Sequence, residues 1–386
     1  MTGRGRLLVT LLLVVGLPAV AAGQAPLAPA PPSSSATLPS GAATRDDLER
    51  RQATIAKPTL EWFSIHGALL GTAQWIANSD AGRGSVFGAG SLDLNVIARP
   101  SNSVRFFLDV EGLAGPGPDQ KLGTLSRLHN DADRLEGAET KWIVRRLFLR
   151  LSWLDERVRF SIGKLDLGDY FDRNFFAEDE TTQFLDAALL SSPMLRAPPN
   201  GPGTAVRVSV ADWRFAFGVS APDDVGGDLS GLPYMIGELG HRNIFALRGH
   251  YRLWARVGSV PEDRDRVTWG AGVSIDQLVT STLGVFLRAG LSRSQGEDLT
   301  SHAWSAGFQL TPAWLGRGKD AYGIGYSDQR EPGGRERMVE TYYRLALADW
   351  LFLIANVQWI VSGPNQVSGG VNRNVVVPGL RALVLF

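Results

Sequence analysis

The chain has 386 residues, with 39 Lys and Arg balanced by 39 Asp and Glu, and no cysteine. A formal net charge of zero argues against nucleic acid as a partner, because duplex binding needs a surplus of basic residues on one face. The missing cysteine excludes a disulfide scaffold and a thiolate metal site, and 44 glycines and 11 tryptophans against 4 methionines suit an all-β protein.

The first residues read as a processing segment. Arg4 and Arg6 precede an apolar run from Leu7 to Leu17, followed by the small residues Ala19, Ala21, Ala22 and Gly23. This is the pattern of a secretory signal over 1–23, and its apolar run is shorter than the ~20 residues a membrane helix needs. Residues 24–57 form a Pro/Ala/Ser-rich linker and a short segment that cannot build a packed core. The stretch 343–361 is apolar enough to be tested as a helical span. Arg344, Asp349, Asn356 and Gln358 interrupt it at strand-like spacing.

From residue 58 to 386 the chain reads as one domain of short alternating segments. Strands are expected near 61–77, 85–98, 103–114, 142–153, 157–165, 204–210, 213–220, 233–240, 243–257, 266–276, 282–292, 301–310, 320–328, 337–347, 350–361 and 374–386. Sixteen is an even number, and most segments match the ~9–11 residues of a tilted membrane strand. In VRFFLDVEGL, Val104, Phe106, Leu108 and Val110 oppose Arg105, Phe107, Asp109 and Glu111. In RLFLRLSW, four apolar residues oppose Arg146, Phe148, Arg150 and Ser152. The same separation recurs over 245–256 and 283–292. A soluble sandwich also alternates, but its core would not place so many arginines opposite the apolar face.

The odd-numbered connections near 78–84, 115–141 and 166–203 are long, and the even-numbered ones (ARPSN, LDE, ADW, GHRN and those after them) are short. Long loops on one side and short turns on the other are the pattern of a transmembrane barrel. Closure also pairs every backbone group, which lipid requires. The chain ends in VVVPGLRALVLF, with Phe386 last, and Trp62, Trp75, Trp153, Trp213, Trp269, Trp350 and Trp359 stand near strand ends, where aromatic girdles form. The expected fold is therefore an all-β, 16-stranded antiparallel transmembrane β-barrel of the bacterial outer membrane.

A barrel of that size holds water. Alternation points Arg105, Arg146, Arg150, Arg159, Arg207, Arg248, Arg252, Arg288, Arg344 and Arg381 into the lumen with Asp93, Asp109, Glu111 and Glu340. A charge facing lipid at mid-depth costs ~2–4 kcal/mol, so the inward assignment is favoured. Arginines facing carboxylates, with aromatic rings between, can pair with neighbouring sugar hydroxyls. The surplus of arginine is an equally physical basis for anion preference.

The third long connection, 166–203, carries seven carboxylates between Asp166 and Asp186. Its Phe175, Phe176, Phe184, Leu185, Leu189 and Leu190 favour a packed loop, folded into the lumen with its acids facing the strand arginines. Candidate constriction residues are Asp166, Asp169, Tyr170, Asp172, Arg173, Asn174, Glu178, Asp179, Glu180 and Gln183. DLGDYFDRN lacks the ligand order of a calcium loop, so neither metal nor cofactor is expected. Catalysis is not expected either. There is no G-x-S-x-G or H-E-x-x-H, and the five histidines are scattered, with only His250 assigned to the lumen. No plug domain of a TonB-type receptor fits before residue 60.

Two regions resemble the carbohydrate-selective porins of the OprB type. One is GKLDLGDYFDRN at 163–174 with DETTQFLDAALL at 179–190. The other is the closing pair ANVQWIVSGPNQ and VVVPGLRALVLF, with its Gln, its Gly-Pro turn and its Gly-Leu-Arg. The resemblance covers about 60–386. It implies a sixteen-stranded outer-membrane channel for monosaccharides, with arginines, acids and aromatic rings at its constriction. In place of the family's Trp-Gly-Gly element before the first strand stands LERRQATIAKPTLEWFSIHG, a departure that bears on substrate more than on fold. The expected partners are small sugars as permeant solutes and outer-membrane lipid, in a homotrimer or a monomer. The alternative is an anion-selective or general diffusion porin.

Overall fold

A computed structural model describes residues 62–135, 139–222, 232–260, 263–297 and 299–386. The expected signal segment 1–23 and linker 24–57 lie outside the described residues.

All sixteen expected strands are present. The first eight are β1 (Phe63–Trp75), β2 (Val86–Ser101), β3 (Val104–Ala114), β4 (Thr140–Trp153), β5 (Val158–Leu165), β6 (Gly201–Val210), β7 (Trp213–Ser220) and β8 (Tyr234–Arg242). The others are β9 (Gly249–Val260), β10 (Asp263–Leu278), β11 (Leu283–Ser294), β12 (Ser301–Leu310), β13 (Ala321–Glu331), β14 (Gly334–Ala346), β15 (Leu351–Asn365) and β16 (Gly370–Leu385). Each pairs antiparallel with its sequence neighbours, and β1 closes on β16 from Ala68↔Leu385 to Gln74↔Gly379. The terminal residue completes the seam: Phe386 N–H donates to the Gly67 carbonyl at 3.0 Å and its own carbonyl accepts from Gly67 at 2.7 Å. Closure leaves no open edge.

The outer face is apolar. Trp142 and Trp153 at the two ends of β4 are 66% and 48% exposed, and the β4 residues between them that face outward include exposed Val144 and Leu147. Eleven residues of extended strand, tilted by ~40°, span about 25–30 Å along the membrane normal, which matches an apolar band with aromatic girdles. The interior holds the charge: Glu340, Arg344 and Arg381 are fully buried. That is the inverse of a soluble protein, as a lipid-facing exterior requires.

Among the register shifts of the described strands, those in β4 and β15 alter the alternation most plainly. Asp109 pairs with Arg146 but Val110 with Val144, which leaves Arg145 as the extra residue and turns two consecutive arginines inward, both buried. Met338 pairs with Ile360 but Arg337 with Ser362, which makes Val361 the extra residue of β15. The bends also correct two boundaries. Gly363 and Pro364 continue β15 instead of forming a turn, so the hairpin closes over 366–369. Residues 243–248 form a connection, so β9 begins at Gly249 and Arg248 stands just before it. The expected asymmetry of connections holds through the first half of the barrel. In β13 to β16 the strands run on into what reads as loop in sequence, and the wall stands taller there.

Candidate functional site

The connection between β5 and β6, residues 166–200, crosses the barrel interior, and its carboxylates shape it. Asp166 accepts from Gly168 N–H at 3.0 Å and starts a 3₁₀ turn, Leu167–Asp169. Asp179 accepts from Thr181 N–H and the Thr182 hydroxyl at 2.9 and 2.8 Å, and Asp186 accepts from Ala188 N–H at 3.2 Å to cap the single helical turn Ala187–Leu190. Gln183 accepts from Glu178 and Asp179 N–H at 2.8 and 3.0 Å and donates to the Phe175 carbonyl at 3.0 Å, which ties the loop to itself. Short polar side chains capping their own backbone is the common turn chemistry of Asp and Asn.

The loop is fastened to the wall formed by β8–β16. Asp172, at the positive φ of 56°, is the hub: its carboxylate accepts from the Trp254 indole at 2.9 Å, from Ser192 N–H at 2.7 Å and from Arg288 at 3.1 Å. Arg288 also donates to the Ala177 and Leu189 carbonyls at 2.6 and 2.7 Å. Arg381 donates to the Glu180 and Gln183 carbonyls at 2.5 and 2.6 Å, and Glu340 accepts from Leu185 and Asp186 N–H, each at 2.9 Å. Asn174 donates to Ser274 and to the Ile275 carbonyl, and Phe175 N–H donates to Asp276. Below these contacts the loop's Phe175, Phe176, Phe184 and Leu189 pack with Phe286, Tyr342, Phe352 and Leu383 in an apolar core inside the barrel. Glycine makes this approach possible: a Cβ on Gly284 would stand 1.9 Å from the Phe176 ring.

A second loop segment, 115–135, also turns inward, which the sequence reading did not anticipate. Leu122 and Leu128 are fully buried, and side chains of the wall hold its backbone. Glu336 accepts from Leu125 and Ser126 N–H, Gln358 donates to the Leu128 carbonyl, and Asn372 to that of Leu122. The signal was there: apolar residues inside a polar connection, as in 166–200. Where the two loops meet, Asn130 donates to Glu180 at 3.2 Å, and Arg134 bridges Glu111 at 2.5 Å and Asp131 at 3.3 Å. Burial and then the neighbouring Glu111 push the Asp131 carboxyl up to about 6, and burial and the adjoining Asp131 raise Glu180 well above its ordinary value. A raised carboxyl favours the docked arrangement when protonated, so this contribution is complete below about pH 4 and lost as pH rises through about 6. Amide exchange over 115–135 is expected to quicken several-fold from pH 4 to 7.5 after correction for intrinsic rates. Asp131→Asn should flatten that step, and an unchanged step would count against Asp131 as its source.

The side facing β3–β7 is different. Arg150 lies over the Phe107 ring at 4.8 Å and 6.0 Å from the Tyr170 ring. Glu156 pairs with Arg105 and, at 2.6 Å, with Arg159. The charges acting most strongly on Arg207 are four other arginines, Arg214, Arg173, Arg159 and Arg150, and its Nε has no hydrogen-bond partner among the described residues. Arg105, Arg150, Arg159 and Arg207 keep some exposure, in contrast to the buried arginines opposite. At the short-turn mouth a cavity of about 850 Å³ opens between Trp62, Arg99, Arg105, Trp153 and Glu156.

The structure thus divides the sequence-derived set. Arg105, Arg150, Arg159 and Arg207 keep some exposure on the same side as Asp169 and Arg173 of the loop, and the loop's Tyr170 is buried near Arg150. Arg146 bonds Asp109 and Asp169, and Arg173 pairs with Glu178 at 2.6 Å. Arg252 and His250 both hold Asp276, at 2.8 and 2.6 Å. Arg248 stacks on Phe175 at 4.7 Å. Arg288, Arg344, Arg381 and Glu340 are interior but buried, anchoring the loop or packed beside it. Asp93 lies opposite Glu111 on the inner face. His66 and His129 are also buried inside, so His250 is not the sole interior histidine. Among residues the sequence reading missed, Arg145 needed the bulge. Arg214, Glu238, Arg256 and Asp276 stand at alternate positions that carrying the period through β7–β10 would have identified, and Trp254 lies inward as the alternation over 245–256 expected.

A closed sixteen-stranded barrel, apolar outside and charged inside, with a long loop folded into it, defines the class as an outer-membrane barrel of the porin type. Residues 249–386 match the model of the carbohydrate-selective porin, OprB family, which agrees with the resemblance found at the end of the sequence. Among solved structures, the high-pH form of Pseudomonas putida OprB is similar at 16% identity and a TM-score of 0.69, over 89% of this chain and 96% of that one. Its low-pH form gives 13% identity and 0.56, over 89% and 95%. A loop L8 deletion mutant of OmpT, an outer membrane protein of Vibrio cholerae, gives 13% and 0.55, over 84% and 99%. No curated protein matches. The matched family and fold are those of channels, not enzymes.

Proposed function

We propose that the protein is a passive outer-membrane channel for small carbohydrates, with loop 166–200 as its constriction. The carrying observation is the asymmetric interior. The loop is bonded and packed to β8–β16, and what stays accessible is a wall of guanidinium groups and aromatic rings facing loop carboxylates. Planar donors suit adjacent hydroxyls, carboxylates accept from them, and a partly exposed ring such as Phe107 meets the C–H face of a pyranose. Passage requires such contacts to be weak and successive. Homology of residues 249–386 to carbohydrate-selective porins supports the same reading. The anion-selective alternative draws on the arginines gathered around Arg207, whose own Nε has no hydrogen-bond partner among the described residues.

Planar-bilayer recording separates the two. Glucose at millimolar concentration is expected to reduce single-channel current, with only mild anion preference in potassium chloride. Strong anion selectivity without any block by glucose, galactose or xylose would sink the carbohydrate reading.

A further inference from the structure

The outer surface of the barrel carries one group of charges that the channel does not use. On β13 and β14, Gln329 and Glu336 face inward, where Glu336 holds loop segment 115–135, so the alternating Arg330, Arg335 and Arg337 face outward. Register sets Arg330 directly opposite Arg335, and Asp328 opposite Arg337. Across the next two pairings Arg337 donates to the Ser362 hydroxyl at 3.0 Å, and Ser362 stands opposite Arg373 of β16, which is exposed. Four arginines on β13, β14 and β16 therefore span three strand spacings of ~4.8 Å, with Ser362 of β15 between them. Among the described residues of β13–β16, one carboxylate shares this face with them, Asp328, and it is engaged by Arg335 at 2.6 Å.

The height of the group is informative. Trp304 pairs with Asp328 and lies in the same row, and Trp359, 42% exposed, is paired with Val339, two residues from Arg337 toward the membrane centre. The arginines sit at and just beyond the aromatic girdle on the long-loop side, at headgroup depth, where a guanidinium escapes the ~2–4 kcal/mol cost of the bilayer midplane. The wall here is extended by β15 and β16, of 15 and 16 residues, so these side chains stand on rigid strand and not on loops. Arginines on a rigid sheet, with Arg330, Arg335 and Arg373 exposed and Arg337 half-buried, stand beside tryptophans and nearly without counter-charge; they match a large lipid headgroup bearing more than one phosphate, because the guanidinium fork binds phosphate oxygens in pairs.

We propose that the outward face of β13–β16 is a binding site for a phosphorylated glycolipid of the outer leaflet, with Arg330, Arg337 and Arg373 as its phosphate ligands and Trp304 and Trp359 against its acyl boundary. The site is separate from the pore and leaves conduction unaltered.

The test uses the full-length protein in mixed micelles with bisphosphorylated lipid A, or with the same lipid stripped of its phosphates, read by native mass spectrometry and by the temperature at which the folded barrel dissociates on a gel. Wild-type protein is expected to retain the bisphosphorylated lipid and gain heat resistance from it. The stripped lipid should do neither. The triple variant Arg330→Gln, Arg337→Gln, Arg373→Gln should bind at least roughly tenfold more weakly, each basic residue near an anionic surface contributing to affinity. Arg293→Gln, on the same face of β11, should bind as wild type. Equal retention of both lipids, or no loss in the triple variant while its barrel still runs as a heat-modifiable band, overturns the proposal. So does displacement of the lipid by an equal concentration of inorganic phosphate.

Discussion

Replacing Arg288 with methionine is expected to release loop 166–200 from its wall, raising single-channel conductance roughly two- to threefold and abolishing discrimination among solutes. The guanidinium is fully buried and joins three segments of the loop: the Asp172 carboxylate, the Ala177 carbonyl and the Leu189 carbonyl. Methionine leaves Asp172 buried with its main charge partner gone, at a cost of about 3–5 kcal/mol for one half of a broken buried pair. The barrel's own ladder does not pass through this contact, so the variant should still migrate as a heat-modifiable folded band. Unchanged conductance in a folded Arg288→Met channel would refute the anchoring role. Asp172→Asn serves as the milder comparison, since an amide keeps the shape and loses the charge.

The double variant Arg150→Gln, Arg207→Gln is expected to weaken current block by glucose on the order of tenfold and to shift the reversal potential toward cations. A hydrogen bond to a charged donor contributes about 1.5–3 kcal/mol, so the loss of even one such contact to a bound sugar accounts for the tenfold change. The two residues lie on the accessible wall, Arg150 against the Phe107 ring and Arg207 among other arginines. If selectivity shifts while sugar block stays at its wild-type value, the wall tunes ions alone and the sugar contacts lie elsewhere. Arg344→Gln is the control for interior charge, being buried beside Phe352 on the opposite side.

Much of the barrel is legible along the chain because its rule is local. In lipid the outward positions must be apolar, so the period of two survives through β3, β4, β9 and β11 and assigns each residue a face. Bulges break that rule without a strong sequence mark. Arg145 and Arg146 face inward together because the ladder skips one residue. The β15–β16 hairpin shows the same limit: Gly363-Pro364 has the composition of a turn and lies within paired strand. The inward 115–135 segment went unread although its leucines carry the same argument as the phenylalanines of 166–200. The weight given to apolar residues in one polar connection applies equally to the other.

The sequence by itself determined the sixteen-stranded barrel, the inward direction of most of its charges and the apolar residues that pack the 166–200 loop. These follow from alternation and from connection length, both readable without knowing which residues meet. Only the tertiary structure decided what each inward charge does. Arg150 and Arg288 share a residue type, a face and a strand pattern, yet one keeps some exposure and the other is sealed beneath the loop. The difference is desolvation, and desolvation depends on where a distant segment comes to rest. Arg288 reaches Asp172 across 116 residues and Arg381 reaches Glu180 across 201. Such pairings are set by closure of the barrel and by packing of the loop against one wall, which no local pattern records.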